Sequence, residues 1–65
     1  VVENRIKAYR EALGWSQEQL ARKSGVSRSA VSEAESGAHV PTLEAALRLS
    51  EALGVSMDKL FILVK

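Results

Sequence analysis

Four glycines, Gly14, Gly25, Gly37 and Gly54, each follow a helical apolar pattern and cut the chain into five pieces. A residue free to adopt positive φ closes a helix by turning the chain back onto its last carbonyls, so each glycine reads as a helix stop. The four later pieces each open with a hydroxyl residue, Ser16, Ser27, Thr42 and Ser56, whose oxygen can accept from an orphan amide of the first turn. Starts and stops therefore agree. Ser16 with Gln19 makes a capping box, and Trp15 with Leu20 makes a hydrophobic staple around it. Val26 with Val31 repeats the staple around Ser27, as does Val55 with Leu60 around Ser56. The expected helices are Val2–Leu13, Gln17–Ser24, Arg28–Ser36, Leu43–Leu53 and Met57 to near Leu63, with no strand required.

Apolar residues at helical spacing supply a shared core: Ile6, Tyr9 and Leu13; Leu20 and Ala21; Val31 and Ala34; Leu43, Ala46, Leu47 and Leu53; Leu60 and Phe61. Pro41 stiffens the entry to the fourth helix without removing a needed amide. The 65 residues, 46% hydrophobic and 26% charged, are expected to form one compact all-α domain spanning positions 1–65, with no room for a catalytic or effector domain. There is no cysteine, so side-chain packing, not a disulfide or thiolate zinc site, must hold this core, which fits a reducing, cytoplasmic location. The longest apolar run, Leu60 to Val64, is far shorter than the roughly 20 residues a bilayer-spanning helix needs, so a soluble chain with no membrane partner is expected. One histidine, no glycine-rich phosphate loop and no ligand set at metal spacing argue against an enzyme and predict no metal and no cofactor.

The second and third helices are short and separated only by Gly25, Val26 and the cap Ser27, a connection that suits a steep crossing. Ala21 lets the third helix approach, while Leu20, Val26 and Val31 fill the angle between the two. This is a helix-turn-helix. With Val31 and Ala34 turned inward, the opposite stripe of the third helix is Arg28, Ser29, Ser32, Glu33 and Ser36.

The run from Gln17 to Ser32 closely resembles the lambda repressor/Cro-like family, also called the XRE family, and the likeness extends to most of the chain. Arg10, the segment Gly14-Trp15-Ser16-Gln17, the ending Glu35 to Gly37, the entry Pro41-Thr42-Leu43 and the connection Ala52 to Ser56 all match its pattern. The resemblance implies a five-helix domain that regulates transcription, repressor-like, by reading operator half-sites on double-stranded DNA as a homodimer, with the third helix in the major groove. Arg28 is the first candidate for base readout, because its forked guanidinium can bond O6 and N7 of guanine. Ser29 and Ser32 are short enough to let the helix sit deep, and their hydroxyls bond bases with weak preference. Glu33 departs from the family, where this position is often neutral or basic. It either accepts from a cytosine amino group or is a solvated glutamate paired with Arg28 or another cation.

Phosphates are expected at the helix starts formed by Ser16 and Gln17, by Ser27 and Arg28, and by Thr42, where free amides and the helix dipole favour an anion. Gln17 matches the family's phosphate-binding glutamine. Ala38-His39-Val40 replaces residues that are commonly lysine or arginine in relatives, and His39 can touch phosphate when protonated. Ala34 is smaller than the residue usual in the family. Arg10 and Glu35 match a family ion pair that joins the first helix to the end of the third. Arg22 and Lys23 are either a solvated face or a source of long-range attraction.

Phe61, Ile62, Leu63 and Val64 offer more apolar surface than a small core absorbs, which marks them as the expected dimer interface, alternate side chains turning inward and outward. The competing reading is a protein-interaction module, such as an antitoxin that neutralises a partner toxin. The net charge of only +1 and the acidic Glu33 keep it open.

Overall fold

The computed structural model describes residues 2–64. Five helices, α1 (Ile6–Ala12), α2 (Gln17–Ser24), α3 (Arg28–Ser36), α4 (Leu43–Leu53) and α5 (Met57–Leu60), are framed by two short strands, β1 (Val2–Asn4) and β2 (Phe61–Leu63). The bounds of α2, α3 and α4 coincide with those read from the caps. The two ends of the chain do not: β1 and β2 pair antiparallel, with Val2 opposite Leu63, Glu3 opposite Ile62 and Asn4 opposite Phe61. The expectations of a first helix beginning at Val2, of a fifth reaching Leu63, and of a fold without strands are corrected accordingly. Local reasons set the new bounds. The Asn4 side-chain oxygen accepts from the Ile6 amide at 3.2 Å, so α1 cannot begin earlier, and Phe61 is already extended at φ −119° and ψ 124°.

The helix starts differ in how they are capped. Ser16, Ser27 and Thr42 accept from the amides of Gln19, Ala30 and Ala45, each at 3.1 Å, and the Ser16 amide donates in return to the Gln19 side chain, completing the capping box. Ser56 does not cap α5 in this way. Its hydroxyl instead donates to Asp58, and that bond, helped by the amides of Asp58 and Lys59, holds the Asp58 carboxyl below its ordinary range.

The helix ends differ too. After α1, α3 and α4 the chain closes with paired backbone bonds, for α3 from Gly37 N–H to the Ala34 carbonyl and from Ala38 N–H to the Glu33 carbonyl. After α2 only the bond from Gly25 N–H to the Ala21 carbonyl forms, and Val26 N–H turns to the buried Ser24 hydroxyl at 3.2 Å. A side chain thus replaces a backbone bond at the one turn that must be tightest. Gly25 is held at φ +76°, so this turn needs glycine for its backbone conformation; a Cβ there would meet only the far end of the flexible Arg48 side chain, 2.9 Å from Nη1.

Ile6, Leu20, Val31, Leu49 and Leu60 are completely buried, one from each helix, with Val26, Ala34 and Leu53 closing the core around them. Tyr9, Trp15 and Phe61 pack on its margin. Leu13, Leu43 and Leu47, expected inside, are exposed, and Leu49 takes the central place. Helix α4 carries two adjacent apolar stripes, and packing against α2 and α5 selects Ala46, Leu49 and Leu53 over Leu43 and Leu47.

Candidate nucleic-acid interface

Helix α3 is held along its inner face and at both ends. Val31 and Ala34 face the core, and the Ser27 hydroxyl fixes the first turn. At the other end the Arg10 guanidinium grips Glu35 with two bonds, Nε to Oε2 at 2.7 Å and Nη2 to Oε1 at 3.0 Å, while Nη1 donates to the Trp15 carbonyl at 2.7 Å. The two side chains are only 10% and 4% exposed. The Glu35 hydrogen bond holds the Arg10 charge more firmly than usual, against the opposing effect of burial. Asn4 adds a bond that the sequence did not signal: its side-chain amide donates to the Ala34 carbonyl at 2.7 Å, across a separation of 30 residues. Arg10, Glu35 and Asn4 therefore join α1, the α1–α2 connection and β1 to the C-terminal half of α3.

The outer face is Arg28, Ser29, Ser32, Glu33 and Ser36, all exposed. Gln17 projects from the start of α2 into the same shallow concavity as Arg28, Ser29, Ser32 and Glu33. Its side-chain amide donates to Glu35 Oε1 at 3.2 Å, so Gln17 is positioned by the carboxylate that Arg10 holds. Among the described residues Arg28 forms no ion pair, which leaves its five donors free for an incoming partner.

The three capped helix starts are not equivalent electrostatically. Glu18 and Glu44 lie in the first turns of α2 and α4, where an acid satisfies the dipole and competes with an outside anion. Each is paired four residues on, Glu18 with Arg22 at 3.1 Å and Glu44 with Arg48 at 3.3 Å, which offsets that competition. The first turn of α3 has no acid and begins with Arg28. In every case the cap hydroxyl accepts from a backbone amide and keeps its own proton available to donate.

The remaining residues singled out above fall as follows. Glu33 does not pair with Arg28; its Oε2 lies 3.9 Å from Nε2 of His39. Arg22 is tied to Glu18, and the Lys23 ammonium stands 4.9 Å above the centre of the Trp15 ring. Thr42 is exposed at the start of α4. Phe61 packs on the core margin and Ile62 is half-buried, whereas Leu63 is 68% and Val64 42% exposed. Sequence reading missed Asn4 and Ser24. Ser24 carries a weak signal, a hydroxyl residue just before a helix-ending glycine, but the Asn4 bond to Ala34 carries none because its partner is distant in sequence.

The sequence matches the family described as Helix-turn-helix over residues 6–60. It is 37% identical over 60 residues to an uncharacterised HTH-type transcriptional regulator, YgzD, of Bacillus subtilis, covering 92% of this chain and 91% of that one. The fold is similar to the crystal structure of the restriction-modification controller protein C.AhdI from Aeromonas hydrophila, with a TM-score of 0.80, 38% identity, and coverage of 85% of this chain and 83% of that chain. It is also similar to the N-terminal DNA binding domain of SinR from Bacillus subtilis, with a TM-score of 0.77, 37% identity, and coverage of 82% and 78%. The chain belongs to the helix-turn-helix family, in its lambda repressor/Cro-like branch, and is a DNA-binding transcriptional regulator, not an enzyme.

Proposed function

We propose that this domain, as one unit over residues 1–65, acts as a repressor-like switch in the cytoplasm, binding operator half-sites as a homodimer with α3 in the major groove. The observation that carries the reading is the concavity in which Gln17, Arg28, Ser29 and Ser32 converge on a helix capped at its start by Ser27 and held near its end by Asn4 and Arg10. Arg28, at the start of α3, reads guanine through O6 and N7; Ser29 and Ser32 approach neighbouring base edges, and Glu33 is the acidic member of the set. Ser16, Gln17, Ser27 and Thr42 bond phosphates from the three helix starts and fix the register, with His39 beside them in the loop after α3.

One recognition helix reads only a few base pairs, so two copies spaced by about one turn of DNA, roughly 34 Å, supply the specificity. Ile62, Leu63 and Val64 meet the second subunit, and Phe61 stays with its own core. Among the described residues no helix is long and apolar enough to cross a membrane.

Selection of bound duplexes from a random pool, followed by a salt titration, tests this reading. Affinity should fall steeply with log[salt], and Arg28→Ala should cost about 1–3 kcal/mol at one base position. Gln17→Ala should weaken all sequences alike, because a phosphate contact carries no base information. Absence of any association at low salt, with tight capture of a protein partner, would instead support the interaction-module reading.

A further inference from the structure

Glu33 is the only acid on the exposed stripe of α3, and a carboxylate in a groove lined by phosphates is repelled unless it accepts a bond there. The turn that ends α3 brings it a companion. The amides of Ala38 and His39 both point at the Glu33 carbonyl, at 3.0 and 3.4 Å, so the loop folds back over the last turn of its own helix. The imidazole arrives with Nε2 3.9 Å from Glu33 Oε2, both side chains being largely exposed. Since Oε2 faces the ring, Oε1 remains for another donor.

Among the described residues that line these surfaces, little else carries charge. Gln17 from α2, and Thr42 and Ala45 from the start of α4, border the glutamate; Val2, Asn4 and Phe61 of the ribbon border the imidazole. None of these ionises. Among the described residues Arg28, on the same helix, is the one other charged group sharing the concavity, and it makes no ion pair with Glu33.

We propose that Glu33 is a specificity determinant for cytosine, accepting from its exocyclic amino group, and that His39 is the positioning residue that makes this readout depend on proton concentration. The inference rests on the operator-binding reading above. Imidazole is the side chain whose charge ordinarily changes between pH 5 and 8. Protonated, His39 engages Oε2, offsets the negative charge facing the phosphates and holds Oε1 toward the base. Neutral, it leaves the carboxylate free to swing away and its charge uncompensated. Cytosine discrimination therefore strengthens as pH falls.

The test compares the selected operator with a duplex in which the candidate cytosine is replaced by thymine, by fluorescence anisotropy at pH 6 and pH 8. Wild-type protein should prefer cytosine about fivefold or more at pH 6, the low end for a specific base contact. At pH 8 that preference should fall by roughly 2- to 5-fold, the range an exposed ion pair supplies. His39→Lys should keep the strong preference at both pH values, and His39→Asn the weak one at both. Glu33→Ala should abolish the preference while still binding the operator. A preference unchanged by pH, or a pH response that survives Glu33→Ala and so belongs to a phosphate contact of His39, would overturn the proposal. So would a selected operator with no cytosine position sensitive to Glu33→Ala. Failure of wild-type protein to bind any duplex at either pH would defeat the operator reading itself, a different result from binding without cytosine preference.

Discussion

The helix-turn-helix segment and the terminal ribbon both hold α3, the first through bonds between residues a few positions apart, the second through a bond between residues 30 positions apart. Ser16 to Gln19, Ser24 to Val26 and Ser27 to Ala30 are local closures, and each can form as its own turn forms. Asn4 to Ala34 and the pairing of Val2–Asn4 with Phe61–Leu63 exist only once the chain has folded back on itself. The difference teaches that the shape of the recognition helix is set locally, whereas its placement on the body of the protein is set from a distance. Arg10 belongs to both schemes, because one guanidinium holds the nearby Trp15 carbonyl and the distant Glu35.

Removing that shared member should have the largest effect. Arg10→Ala leaves Glu35 buried without a counter-ion, at a cost of about 3–5 kcal/mol, which is most of the stability of a domain this size. Urea denaturation followed by circular dichroism should show a protein that is largely unfolded at 37 °C. A loss below about 1 kcal/mol would mean that the pair does not carry the long-range clamp. Leu49→Ala, which empties the centre of the core, should cost about 2–5 kcal/mol, while Leu47→Ala on the exposed stripe of the same helix should change stability by under about 0.5 kcal/mol. Equal losses at the two positions would contradict the orientation of α4.

Asn4→Ala and Ser16→Ala compare the two schemes directly. Ser16→Ala removes one local cap and should cost about 1 kcal/mol. Asn4→Ala strips one bond from the start of α1 and another from the end of α3, and should cost about 1–3 kcal/mol. It should also raise amide hydrogen exchange in the last turn of α3, which Ser16→Ala should leave alone. Exchange that is unaltered there in the Asn4 variant would show that the ribbon does not hold the recognition helix.

The smallest effect lies at α5. Asp58 has a folded-state pKa below its ordinary value because Ser56 and two amides bond its carboxylate. The stabilisation is therefore present above the ordinary carboxylate pKa and is lost as pH falls through the lower, folded value. Ser56→Ala should move the Asp58 titration, read by NMR from the carboxyl carbon, back toward the ordinary range. An unmoved titration would remove Ser56 as the cause.

What could be read from the sequence follows the same division. The bounds of α2, α3 and α4 were legible because each lies between a hydroxyl cap and a glycine stop, and those interactions connect neighbours. The inward placement of Val31 and Ala34, and hence the exposed stripe from Arg28 to Ser36, followed from helical period alone. The ribbon was not legible, since Val2–Asn4 and Phe61–Leu63 are too short for a period-2 pattern and acquire their conformation from each other. Leu49 was overlooked for a related reason. Two leucine stripes on α4 have the same period, and only the neighbouring helices choose between them. The meeting of Glu33 with His39 was hidden because it depends on how the chain closes after Gly37.

The account stands on α3 presenting Arg28, Ser29 and Ser32, with Gln17 beside them, as the surface that enters DNA. Titrating a selected operator duplex into nitrogen-15-labelled protein and following every backbone amide by NMR tests this most directly. The largest shifts should cluster at Gln17 and from Arg28 to Glu33, with smaller ones near Thr42. Shifts concentrated instead on Leu43 and Leu47 of α4, or on the ribbon, with α3 left unperturbed, would contradict it.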